Sequence, residues 1–126
     1  MIKLEKDDIL SLYKLMTIET GGTVGIREES LLESAIDAPF QTFMGLELYP
    51  TLIEKAARLG YGLVANHPFV DGNKRIGVFS MLVFLDVNGY NVLVSEDELV
   101  KLTLKLADGS YKYEELLEIL KEKVEI

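Results

Sequence analysis

Six residues in one short stretch, His67, Asp71, Gly72, Asn73, Lys74 and Arg75, combine side chains and backbone suited to handling phosphate. His67 is the only histidine of the chain. Its neutral imidazole can accept a hydroxyl proton near neutral pH, which makes it a candidate base. Asp71 offers one carboxylate, and a single carboxylate with phosphate oxygens and waters is a common way to hold Mg²⁺. Gly72 leaves the backbone open to a ligand, and Asn73 adds a side-chain amide donor. Lys74 and Arg75 then supply an ammonium and a planar guanidinium, which neutralise phosphate oxygens in different geometries. Both cations fall where the first turn of a helix should begin, and that end of a helix is already partly positive. An anion is needed there, and a polyphosphate is the anion that fits. A base, a metal carboxylate and an anion cradle on one turn describe group transfer from a nucleotide to a hydroxyl. Taken singly, His67 reads as a helix-end residue and Asp71 as a cap. Capping does not explain Lys74 and Arg75 beside Gly72. Phe69, in the middle of the stretch, is assigned to packing.

The elements around this stretch are mostly helical. Ile9, Leu12, Tyr13 and Met16 form an apolar stripe that should end at Gly21-Gly22. In "REESLLESAI", Leu31, Leu32, Ala35 and Ile36 repeat the pattern, closed by Pro39. The period is lost from Phe40 to Pro50, which reads as a loop or small hairpin around Gly45 and as a flap. Thr51 can cap a helix with Leu52, Ala56, Leu59 and Leu63 on one face, ending near Asn66 because His67 precedes Pro68. From Asn73 to Asn88 the sequence is apolar nearly all round, the pattern of a buried central helix. "NGYNVLVS" reads as a stop and a short extended piece, and Ser95 with Glu98 forms a capping box for the next helix. Asp108-Gly109 ends that helix, and Tyr113, Leu117, Leu120 and Val124 mark a last one. The expected fold is all-α: a helical bundle around a central buried helix, with a small hairpin flap.

Composition narrows the function. The 126 residues suit one domain, with no repeat or linker to divide them. Thirteen Lys and Arg against 21 Asp and Glu leave a net charge of −8, which argues against a nucleic-acid surface. The absence of cysteine removes disulfides, thiolate metal sites and thiol nucleophiles, and one histidine leaves too few ligands for a typical zinc site. "MIKLEKDDIL" lacks the features of a signal peptide, and the most apolar run, Ile76 to Val87, is shorter than the roughly 20 residues a membrane span needs. A soluble, cytoplasmic protein with no membrane partner is expected.

"HPFVDGNKR", from His67 to Arg75, resembles the signature of the Fic/Doc family: His, any residue, Phe, any residue, Asp or Glu, Gly or Ala, Asn, Gly or Lys, Arg. Every position matches. "GGTVGIREESLLESAI" and "PFQTF" extend the likeness to the Doc, or death-on-curing, branch, so that 1–126 is expected to be one Fic/Doc domain. The resemblance implies a small helical bundle whose motif spans a loop and the start of the central helix. It implies His67 as the base for a target hydroxyl, Asp71 as the Mg²⁺ ligand, Gly72 and Asn73 as the anion hole, Lys74 and Arg75 as phosphate holders, and 40–50 as the flap that docks the target.

The AMP-transferring Fic branch has a second glycine where this chain has Lys74, and a further arginine where it has Val78. Doc-type members carry the lysine and are understood to bind ATP in the reverse sense and transfer its γ-phosphate. The resemblance therefore implies a toxin that phosphorylates a threonine of elongation factor Tu, stops translation and is neutralised by an antitoxin acting in trans. Self-inhibited Fic relatives carry Ser or Thr followed four residues later by Glu and then Gly or Asn; no Glu here precedes Gly or Asn. AMP transfer at the same site, or an idle binding module, are the alternatives. Arg27 reads as a surface residue and stays outside the expected site.

Overall fold

The computed structural model describes residues 1–20 and 24–126. Among them run α1 (Lys6–Thr20), α2 (Glu29–Asp37), a 3₁₀ turn (Ala38–Phe40), β1 (Thr42–Phe43), β2 (Leu46–Glu47), α3 (Leu52–Asn66), α4 (Asn73–Val87), β3 (Asn91–Val92), α5 (Glu96–Ala107), α6 (Tyr113–Lys123) and β4 (Val124–Glu125). The all-α expectation holds: six helices carry the fold and the strands form two small two-stranded ribbons. The Gly21-Gly22 stop lies outside the described residues. No helix among those described is long and apolar enough to cross a membrane.

The core is built around α4, whose Ile76, Met81, Phe84 and Leu85 are almost entirely buried. Its principal neighbour is α3. The two approach closely because glycines face the contact: a Cβ on Gly77 would lie 2.6 Å from Val64 Cγ2, and one on Gly60 would lie 2.9 Å from Met81 Sδ. α4 is not covered all round, however. Phe79 is 37% exposed and Val83 is half-buried, because α5 covers only part of that side.

Helix ends follow local chemistry. Thr51 Oγ1 accepts from Glu54 N while Glu54 Oε1 accepts from Thr51 N, each at 3.1 Å, and Ser95 with Glu98 repeats this box. Hydrogen bonds from Lys123 and Ser95 hold the Glu98 carboxyl below its ordinary range. Two boundaries differ from expectation. Pro39 sits inside a 3₁₀ turn that follows α2, since proline fits an early position of such a turn. Val124 leaves α6 and pairs with Val92 in the β3–β4 ribbon, and the buried anchors of α6 are Leu116 and Leu120.

The segment expected to be a flap is a hairpin with Thr42 opposite Glu47 and Phe43 opposite Leu46. Met44 and Gly45 both have positive φ, 53° and 80°, as a tight two-residue hairpin turn requires. Lys55 of α3, only 1% exposed, pins its base: Nζ bonds Glu47 Oε1 at 2.8 Å and the Tyr49 carbonyl, and it faces the Phe40 ring. A buried ammonium requires such partners.

Candidate active site

The stretch from His67 to Arg75 forms the turn between α3 and α4, and its shape is imposed by neighbours on three sides. His67 ends α3 in the left-handed region, φ 51° and ψ 52°, rather than the extended conformation usual before proline. Arg27 supports this ending. Its Nε donates to the His67 carbonyl at 2.8 Å and its Nη2 to that of Asn66 at 3.2 Å, placing a cation on the negative end of the helix. The backbone of the same segment is stitched to the turn: Arg27 N and Glu28 N donate to the Pro68 carbonyl, and Val70 N donates to that of Gly25.

Phe69 packs as the sequence suggests. It is fully buried, and its ring stacks on Tyr13 of α1 with centroids 3.9 Å apart. The Tyr13 hydroxyl donates to the Asp71 carbonyl at 2.9 Å, so α1 braces the turn through both ring and hydroxyl. Gly72 follows with φ 84°, and a Cβ there would come within 2.8 Å of Met16 Cε. Its missing side chain thus serves the turn and the packing against α1, rather than only the approach of a ligand.

Asn73 requires a correction. Its side chain is buried and closes on Phe69, accepting from the Phe69 N–H at 2.8 Å and donating to the Phe69 carbonyl at 2.9 Å. The amide read from sequence as a ligand donor is engaged in clamping the loop. What Asn73 offers an anion is its backbone N–H, at the start of a helix that no side chain among the described residues caps. The first N–H groups of α4 have no partner within the helix.

His67, Asp71, Gly72, Asn73, Lys74 and Arg75 all line one open cavity of about 580 Å³, together with Val64, Val70 and Ala107. The structure therefore brings every expected site residue to one place. His67, Asp71 and Lys74 are exposed and Arg75 is half-buried. Among the described residues, neither cation has a carboxylate within ion-pair distance, although the chain is strongly acidic. Asp71 uses Oδ1 to accept from Gly72 N at 2.8 Å, which fixes its carboxylate beside the uncapped helix end. No group of three or more His, Cys, Asp or Glu among the described residues could hold a metal. A divalent cation here would rest on Asp71 and on oxygens that come with the substrate, the arrangement usual for Mg²⁺.

Sequence reasoning missed three supports of this site. Tyr13 showed only as one apolar position of a stripe, Arg27 carried a local signal but no visible partner, and nothing marked Ala107 of α5 as part of the cavity wall.

Residues 3–85 match the family model described as the Fic/DOC family, and the chain belongs to that family. It is 36% identical over 94 residues to a protein named Toxin Doc from Mycolicibacterium smegmatis (strain ATCC 700084 / mc(2)155), an alignment covering 75% of this chain and 70% of that protein. This likeness sets it in the Doc branch.

Proposed function

We propose that this protein is a Doc-type toxin that transfers the γ-phosphate of ATP to a protein hydroxyl. The observation that carries the reading is the convergence on one cavity of His67, Asp71, the α4 N-terminus and two cations, the helix end uncapped and the cations without a carboxylate partner among the described residues. The backbone N–H groups of α4 and the side chains of Lys74 and Arg75 bind and orient the triphosphate. Asp71 would hold Mg²⁺, which when bound supplies charge neutralisation for the phosphates. His67, exposed at the cavity and without a hydrogen bond to its ring among the described residues, takes the proton of the attacking hydroxyl. Charge developing on the transferred group meets fixed donors, the main way proteins stabilise phosphoryl transfer.

Lys74 and Val78 favour transfer of the terminal phosphate over AMP transfer. Val78 is buried and apolar one turn beyond the cradle, where the other branch has an arginine. A lysine in place of a glycine also fills space beside the helix end. By family likeness the target is a threonine of elongation factor Tu, the outcome is arrest of translation in the cytoplasm, and an antitoxin protein restrains the activity in trans.

Incubation with purified elongation factor Tu and ATP labelled on the α- or γ-phosphate tests the reaction. Label from γ alone is expected, and addition of the antitoxin should suppress it. Label from α would establish AMP transfer instead, and label from neither with nucleotide bound would leave an idle binding module.

Arg75→Ala should weaken ATP–Mg²⁺ binding in calorimetry by about 1.5 to 3 kcal/mol, the range for hydrogen bonds to charged groups. Equal affinities in variant and wild type would move the nucleotide elsewhere.

A further inference from the structure

Arg75 lines a second space besides the cavity at the turn. This is an apolar groove of about 210 Å³, formed with Val78, Phe79 and Leu82 of α4 and with Leu99 and Thr103 of α5. The first cavity touches Ala107 at the C-terminal end of α5, whereas the second touches Thr103 and Leu99 further back along it. The second groove therefore lies on the far side of Arg75 from the phosphate cradle, along α4. From Arg75 to Leu82 it runs for about 10 Å at the usual helical rise.

We propose that this α4–α5 groove seats the purine nucleoside of the nucleotide whose phosphates lie at the α4 N-terminus. The assignment rests on the nucleotide reading of the cradle and adds where the base goes. Three observations favour a nucleoside as the occupant. The groove adjoins the cradle through Arg75, whose side chain faces both a polar and an apolar space. Its wall includes Phe79, an aromatic ring that is 37% exposed. Its one neutral polar side chain, Thr103, donates its hydroxyl hydrogen to the Leu99 carbonyl at 2.8 Å, which leaves the oxygen free to accept from an amine. A flat, largely apolar ring with a polar edge matches such a lining. It also explains Val78: a purine needs an apolar neighbour at the point where a second phosphate-gripping cation would otherwise stand.

The test compares ATP with inorganic tripolyphosphate, each with Mg²⁺, by calorimetry on the full chain. Wild type should bind ATP more tightly than tripolyphosphate. Thr103→Tyr, which fills the groove, and Phe79→Ala, which removes its aromatic wall, should each weaken ATP about tenfold, in keeping with the worth of base stacking on an aromatic ring. Both should leave tripolyphosphate affinity within about twofold of wild type if the loss is confined to the base. Thermal melts followed by circular dichroism verify that both variants are folded. Wild-type affinity for ATP in two folded variants, or equal losses for both ligands, would overturn the groove assignment and leave the cradle standing. Failure of wild type to bind either ligand would remove the cradle reading, and the groove assignment with it.

Discussion

His67→Asn is expected to lower the rate of phosphate transfer by about 10² to 10⁴, the usual loss when a general base is removed. Asparagine is the appropriate replacement because residue 67 has φ 51°, and asparagine tolerates the left-handed region better than most residues. The exposed imidazole can be removed without opening the core. The carbonyl that Arg27 holds is backbone and remains. Melting temperature should therefore stay close to wild type while incorporation of γ-label collapses. His67→Ala should lose at least as much activity and some stability as well, since alanine is strained at that φ. A folded His67→Asn protein with an unchanged rate would reject His67 as the base.

Asn73→Ala should strongly destabilise the loop. Two hydrogen bonds join its side chain to the buried Phe69 backbone, and alanine leaves both the N–H and the carbonyl without their partner. Orphaning such groups costs about 2 to 4 kcal/mol in total, to be read from urea unfolding of variant and wild type. Asn73→Asp separates the two bonds, because a carboxylate can still accept from the Phe69 N–H but cannot donate to its carbonyl. It should be less stable than wild type, because the buried carboxylate's second oxygen then faces the Phe69 carbonyl oxygen. If Asn73→Ala instead kept full stability and lost only nucleotide affinity, the side chain would be a ligand contact rather than a clamp.

Features whose signal lies within one turn of chain were legible in the sequence. The cap at Thr51 and the box of Ser95 with Glu98 depend on residues within one turn, and the hairpin on the turn at Gly45, whereas the reciprocal bond that makes Thr51 and Glu54 a box went unread. The candidate site residues were legible as a group because they lie in one short stretch, from His67 to Arg75. The partners of those residues were not legible. Phe69 announced burial, but not that Tyr13 would stack on it; Asn73 announced an amide, but not that it would turn back on Phe69 rather than outward. Val124 continued an apolar period, yet Asn91–Val92 offered it a strand partner from far along the chain. In each case a contact distant in sequence, or one that depends on such a contact, decided between two locally acceptable arrangements. The same holds for Phe79, whose partial exposure depends on how far α5 reaches over α4.

The bracing of the turn by Tyr13 and Arg27 also bears on the order in which the molecule assembles. Those bonds span 58 and 40 positions of sequence. Helices form within about a microsecond, whereas contacts between distant segments must first meet the entropy of closing long loops. A collapsed chain with all its helices but with α1 still undocked would have ordinary helical content and a slack turn from His67 to Arg75. During synthesis the wall at Ala107 emerges only after the motif it faces. The geometry of the turn is thus completed only when these distant segments have docked.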